Sequence, residues 1–373
     1  MGQLRLLGAA REAGHEGEVF CCAYTPDGGG VLSGGWDGHL RLWEAATGRP
    51  LAALPTGPKP LSCCGLTPDG RSWVSGSMEG QLTFWDAVTH QPQLDFMAHT
   101  RPISAVVYAP DGQALASASW DRLIQLRKAG KEREGRALSG HQDIVAGCCF
   151  TPDGGWLLSW SYDGTVRLWD AELAQPIRTL GGHEDRVTAG AVSPDGLWAA
   201  SGGRDGVLKL WDLTQQTEAA VVPQEAEVRA CFFLPDGESL LTADADGWVS
   251  LLAVPSMDVR DRLETGVALL CADLAPAGSQ LALGGEDGFV HRVALEGVAS
   301  APLPILAKPQ LQETYSGLGR LLGKKKVTRT WRYRCPACRK EAEAHALPSK
   351  PFPCPHCHRQ LRVNAAAPQL QVQ

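Results

Sequence analysis

Four cysteines near the end of the chain have the spacing of a metal site. Cys335-Pro-Ala-Cys338 and Cys354-Pro-His-Cys357 are two C-x-x-C pairs separated by fifteen residues. Thiolates at this spacing supply the tetrahedral sulfur shell that structural zinc prefers. Four sulfur ligands close the shell, so the chemistry implied is folding rather than catalysis: one structural zinc per chain. Two disulfides, or a redox C-x-x-C, are the competing readings. The doubling of the motif and the reduced setting argued below disfavour both. His356 and His358 beside the second pair are the alternative nitrogen ligands.

A second chemically capable set recurs at constant spacing: His15, Ser33, Asp37 and Trp43; His141, Ser159, Asp163 and Trp169; His183, Ser201, Asp205 and Trp211. Ser, His and Asp together raise the question of a hydrolase. A catalytic triad occurs once, however, while this set is repeated. Each Ser falls mid-strand, and nothing supplies an oxyanion hole. Other catalytic signatures are absent. His15-Glu16-Gly17-Glu18-Val19 lacks the second His of a zinc protease, and in Gly317–Lys326 a Lys, Lys325, stands where a phosphate loop needs Ser or Thr. The chain is expected not to be an enzyme.

The elements that would position these residues are read from a repeat. Seven turns, Pro26-Asp27-Gly28, Pro68-Asp69-Gly70, Pro110-Asp111-Gly112, Pro152-Asp153-Gly154, Pro194-Asp195-Gly196, Pro235-Asp236-Gly237 and Pro276-Ala277-Gly278, follow one another at 42, 42, 42, 42, 41 and 41 residues. A constant period of this size marks an array of like units. In the fourth unit the apolar runs IVAGCCF, WLLSW, TVRLW and PIRTL alternate with Gly- and Asp-containing turns, which predicts four short antiparallel strands. Four strands alone cannot bury both faces. Radial stacking of the units buries them and leaves short, protected edges.

The repeat resembles the WD-repeat β-propeller family over residues 1–297. Trp85-Asp86, Trp169-Asp170, Trp211-Asp212 and Trp43-Glu44 match the naming dipeptide; Gly14-His15, Gly140-His141 and Gly182-His183, with Ala98-His99 as a variant, match the Gly-His. The resemblance implies an all-β, seven-bladed propeller. It also implies that the three His/Ser/Asp/Trp sets are hydrogen-bonded chains inside single blades. Departures are Gly57 for His in the second unit, Arg127 for Trp in the third, and Leu252 and Val293 for Trp in the sixth and seventh, which lack the His as well. The sixth and seventh blades are therefore expected to form but to be softer. The seventh unit is one strand short, and Gln3–Ala9 matches the missing outer strand, so the N-terminus is expected to close the ring.

The chain of 373 residues has no apolar run of about 18 residues and no apolar N-terminal signal stretch. No membrane association is expected. Eight of the twelve cysteines lie in the propeller, and Cys22, Cys64, Cys148 and Cys231 each sit four before a turn proline, a place that wants a small strand-interior residue. Reduced packing thiols fit an intracellular, cytoplasmic protein, with the nucleus also compatible in a eukaryote. Charge is unevenly spread. Residues 298–373 carry thirteen Lys and Arg against three Asp and Glu, and the rest of the chain carries 22 against 38.

The basic part reads as a linker with a basic run (298–327), a small domain resembling a zinc ribbon (328–365), and a disordered tail (366–373). TWRYR, EAEAHAL and RQLRV are its expected strands. Lys324, Lys325, Lys326, Arg329, Arg332 and Arg334 fall in a stretch without acids, and Trp331 and Tyr333 alternate with Arg332 and Arg334. Such a strand could meet phosphates and stack on bases. It could equally dock on an acidic protein surface or simply be solvated.

One more register bears on function. The residues before the turn Asp, at the hairpin tips, are Trp36, Met78, Trp120, Tyr162, Arg204, Ala245 and Glu286. The first five are large, of the types enriched at interface cores and hot spots. Propellers of the resembled family commonly bind partners on this face. The expectation is a non-enzymatic scaffold, a monomeric propeller that binds proteins through Trp36, Met78, Trp120, Tyr162 and Arg204. The alternatives are a nucleic-acid-associated factor using the basic flank, or the regulatory subunit of a separate enzyme.

Overall fold

The computed structural model describes residues 3–9, 14–296, 303–305, 307–314, 326–334, 341–344, 352–353 and 360–363. Every regular element among them is a strand. The chain divides into two units, Met1–Ala299 and Ser300–Gln373.

The first unit is a ring of seven four-stranded antiparallel sheets. Blade 1 consists of Val19–Tyr24, Gly30–Gly35, His39–Glu44 and Pro50–Pro55. The first strands of blades 2 to 7 are Leu61–Leu66, Ile103–Tyr108, Val145–Phe150, Val187–Val192, Val228–Phe233 and Leu269–Leu274. Each first strand lies against those of its two neighbours, and Val19–Tyr24 touches both Leu61–Leu66 and Leu269–Leu274, which completes the circle. In every blade the first pair of strands slips by one residue near its start, as Val19↔Gly35 gives way to Cys21↔Gly34. A bulge at this point adds twist, as a propeller blade requires.

The Pro-Asp-Gly signature has a local cause. Asp27 Oδ1 accepts from Gly29 N at 2.9 Å and from Thr25 Oγ1 at 2.6 Å, while Gly28 takes the left-handed conformation with φ 74°. The Asp side chain thus mimics a backbone turn, and the Gly enters a region closed to most side chains. Apolar clusters then form between blades rather than within them. Leu32, Leu40, Leu61, Trp73 and Trp85 join blades 1 and 2, and Leu241, Leu251, Leu269 and Leu281 join blades 6 and 7.

One inter-blade contact shows how the ring absorbs an exception. The second-strand position held by Gly34, Gly76, Ala118, Gly202, Ala243 and Gly284 is Trp160 in blade 4. Its ring lies between Gly147 of the same blade and Gly190 of blade 5. A Cβ on either glycine would approach the ring to less than 3 Å. The other blades carry larger residues at those two places, among them Cys21, Cys63, Cys148 and Cys231. Two side chains are given up to admit one indole. The cysteines of this layer are packing residues: burial pushes the Cys148 thiol well above its ordinary value and Cys149 up to about 12.

Gln3–Ala9 pairs antiparallel with Val290–Glu296, from Gln3↔Glu296 to Ala9↔His291, and supplies the fourth strand of blade 7. Leu4 N donates to Asp261 Oδ2 of blade 6 at 2.6 Å. On the other side of the same blade, the buried Arg292 donates to the carbonyls of Ala45, Ala46 and Thr47 in blade 1.

In the second unit Ala307–Thr314, Lys326–Arg334 and Glu341–Ala344 form one sheet. Leu303–Ile305, Gln360–Val363 and Phe352–Pro353 form another. Strands thus occur at the places expected from TWRYR, EAEAHAL and RQLRV. Leu303–Ile305 and Ala307–Thr314 fall inside the stretch expected to be linker; alternating apolar residues had been obscured there by Pro304 and Pro309.

Candidate functional site: the hairpin-tip face of the propeller

The second and third strands of each blade are joined by a tight hairpin, and in blades 1, 3, 4 and 5 the Asp of that hairpin reaches the loop entering the same blade. In blade 1, Asp37 Oδ1 accepts from His15 Nδ1 at 2.8 Å, and Oδ2 accepts from Glu16 N at 3.1 Å. Trp43 Nε1 donates to Ser33 Oγ at 2.8 Å, and Ser33 Oγ lies 2.8 Å from His15 Nε2. With Nδ1–H committed to the carboxylate, Nε2 is the acceptor, so the serine donates to it. The chain runs Trp to Ser to His to Asp. Burial lowers the His15 pKa more than Asp37 restores it, and the ring is therefore neutral. Burial alone would raise the Asp37 carboxyl, but the bonds from His15, Glu16 N and His39 N bring it down to about 2.

The same chain stands in blade 4 (His141, Ser159, Asp163, Trp169) and blade 5 (His183, Ser201, Asp205, Trp211) with contacts of 2.8 to 2.9 Å. The sequence pattern missed a fourth. In blade 3, His99 Nδ1 meets Asp121 at 2.9 Å, Nε2 meets Ser117 at 2.8 Å, and Arg127 Nη1 replaces the indole, donating to Ser117 Oγ at 2.9 Å. The overlooked signal was donor chemistry: a guanidinium N–H can serve where an indole N–H does. Ser33, Ser117, Ser159 and Ser201 are completely buried. Each hydroxyl already accepts one bond and donates another, so the arrangement clamps a blade and offers no hydroxyl to a substrate.

This clamp fixes the hairpin tips. Trp36 N donates to Glu18 O, Trp120 N to Pro102 O, Tyr162 N to Ile144 O and Arg204 N to Arg186 O, each at 2.8 to 3.0 Å. The side chains above this common backbone differ. Trp36 is 58% exposed and Trp120 40% exposed. Arg204 is exposed, Met78 half-buried. Tyr162 is half-buried, and the Arg186 guanidinium lies 4.7 Å from its ring centre. Phe20 packs edge-on to Trp36 at 6.1 Å. The rigid tip turns therefore present two tryptophans to solvent, while Tyr162 is already in contact with a cation of the same chain.

Cys335, Cys338, Cys354 and Cys357, like Lys324 and Lys325, lie outside the described residues. The strands that flank the cysteine pairs are described. Arg334 pairs with Glu341 across one C-x-x-C, and Pro353 pairs with Gln360 across the other. Lys326, Arg329, Arg332 and Arg334 lie on Lys326–Arg334. The register puts Arg332 opposite Glu343 and Arg334 opposite Glu341.

The WD domain, G-beta repeat model matches residues 10–44, 48–86, 90–127, 133–170 and 174–212, just over half of the chain. The chain belongs to this WD40 family. A comparison with curated proteins found no match. The matched stretches stop where the clamp stops: blade 6 has Gln224 and Leu252, and blade 7 has Thr265 and Val293, at the His and Trp positions. The architecture nevertheless continues for two more blades. Among the described residues no helix is long and apolar enough to cross a membrane.

Proposed function

We propose that this chain is a non-enzymatic scaffold that holds protein partners on the hairpin-tip face of its propeller. A WD40 propeller is consistent with a protein-interaction scaffold. The observation that carries the reading to this face is the exposure of Trp36 and Trp120 at backbone turns clamped from below. Exposed tryptophans on rigid turns give large contact area at small entropic cost. Met78 and Arg204 extend the surface, and Tyr162 contributes through its rim. The unpaired thiols of the propeller suit a reducing, intracellular compartment.

The four C-terminal cysteines complete the proposal with one structural zinc. The donor set fits, because each C-x-x-C pair falls between two strands that pair with each other. Elemental analysis of reduced full-length protein should find one zinc, lost in Cys354→Ser. A nucleic-acid role through Lys326–Arg334 is the second reading. In the sheet register Arg332 falls opposite Glu343 and Arg334 opposite Glu341.

The scaffold reading is tested by partner capture with full-length protein, with and without nuclease. Trp36→Ala combined with Trp120→Ala should abolish capture and leave the melting temperature within a few degrees. Capture that survives the double variant would refute the face assignment. Capture that vanishes on nuclease treatment would favour nucleic acid.

A further inference from the structure

The propeller holds two of its own arginines by the same device. The Arg262 guanidinium lies 4.3 Å from the Trp248 ring centre and bonds Glu225 Oε1 and Oε2 at 2.9 and 3.1 Å. Arg186, the residue before the first strand of blade 5, lies 4.7 Å from the ring centre of Tyr162, the tip of blade 4. An aromatic face attracts a cation, and an adjacent carboxylate adds hydrogen bonds.

At the tip of blade 1 the aromatic ring has, among the described residues, no cation over it. Trp36 is 58% exposed. The register that supplies Arg186 to Tyr162 supplies Pro60 to Trp36. Three glutamates lie on the backbone segments beside this tip instead. Glu16 and Glu18 flank Gly17, whose Cβ position would be 3.1 Å from Trp36 Cβ, and Glu18 O accepts Trp36 N at 3.0 Å. Glu286 comes from the tip of blade 7, which is bonded to this loop through His15 N and Gly288 O at 2.9 Å. Among the described residues none of these three side chains has an ion-pair partner. Arg41, on the third strand of this blade, is engaged with Asp37 at 3.3 Å.

We infer that Trp36 with Glu16, Glu18 and Glu286 forms a receptor for an arginine side chain presented by a protein partner. The inference rests on the scaffold reading of this face and adds the chemistry of what is bound. Ring and carboxylates match the guanidinium in charge and shape, as they do internally at Trp248 and Glu225. The propeller's acidic excess, 38 acids against 22 bases over residues 1–297, favours the approach of a basic segment.

The test uses full-length protein labelled with 5-fluorotryptophan, the Trp36 resonance being assigned through Trp36→Phe. The probes are an acetylated, amidated Gly-Arg-Gly-Arg-Gly peptide and its citrulline counterpart, which keeps the shape and removes the charge. The arginine peptide should move the Trp36 signal saturably and the citrulline peptide should not. Glu16→Gln, Glu18→Gln and Glu286→Gln together should weaken binding about tenfold at low salt. Glu286→Gln alone, remote in sequence from the ring, should weaken it measurably. An unmoved Trp36 resonance, equal response to citrulline, or unchanged binding in the triple variant would overturn the inference. If partner capture still depends on Trp36 and Trp120 while the arginine peptide leaves Trp36 unmoved, the scaffold reading survives and the arginine assignment falls.

Discussion

Arg127 Nη1 donates to Ser117 Oγ at 2.9 Å, the contact that Trp43, Trp85, Trp169 and Trp211 make with their own serines through an indole nitrogen. A charged group has replaced an aromatic one at the buried end of a hydrogen-bonded chain. Burial lowers its pKa to about 10, so it remains a cation at neutral pH. It is held by the Ala98 carbonyl at 3.2 Å and by the Phe96 ring at 5.5 Å. Arg127→Ala should therefore cost roughly 2–4 kcal/mol, the sum of an unpaired hydroxyl and a cavity. Arg127→Trp should retain most of the stability. Urea unfolding measures both. A loss under about 0.5 kcal/mol for the alanine variant would mean that the guanidinium does not serve as the missing donor.

The aspartates of the tip hairpins are not equivalent. Asp163 accepts from His141 Nδ1, Gln142 N, Thr165 N and Thr165 Oγ1 at 2.6 to 3.0 Å. In blade 6 Asp246 is exposed, and it is Asp244 that accepts the backbone amides of Asp246 and Trp248. Asp163→Ala should cost about 1–3 kcal/mol and Asp246→Ala about 0.5 kcal/mol or less. Equal shifts in the denaturant midpoint would contradict the clamp.

The period of the Pro-x-Gly turns carried the blade count, because every turn keeps a Pro and a left-handed Gly and six of the seven add an Asp acceptor. Three clamps were legible from invariant spacing. The fourth was not, because Arg127 shares donor capacity with Trp but not its appearance in a pattern. Tip exposure was illegible too. Trp36 and Tyr162 occupy one register, yet only Tyr162 meets an arginine from the next blade. That difference depends on a residue 24 positions downstream, Arg186 in one case and Pro60 in the other.

Stability should fall on mild acidification. Burial lowers the pKa of His15 and His183 below the ordinary 6.5, so both are neutral in the fold. An unfolded chain takes up protons at these sites below pH 6.5, while the folded chain resists. The contribution is present above about 6.5 and is lost as pH falls toward the lowered folded values. The melting temperature of the parent should drop between pH 7 and pH 5. His183→Gln should melt lower at pH 7 and show a shallower drop. Parallel pH profiles for the two proteins would exclude His183 as a source of the dependence.

Trp160 and the two glycines that admit it should behave as one unit. A Cβ at residue 190 would stand 2.4 Å from Trp160 Cε3, and one at residue 147 would stand 2.3 Å from Cζ2. Gly190→Ala should therefore destabilise by about 1–3 kcal/mol through overpacking. Trp160→Ala should cost about 3–5 kcal/mol through the cavity it leaves between blades 4 and 5. In the double variant the added methyl enters that cavity, so the cost should be less than the sum of the two by about 1 kcal/mol or more. Trp160→Phe should be comparatively mild, because the indole N–H is buried without a partner among the described residues and its removal leaves no orphaned acceptor. Guanidinium unfolding of the four variants supplies the cycle. Strict additivity would show that the ring and the glycine do not compete for the same space, and that the exchange of two side chains for one indole is not what holds blades 4 and 5 together.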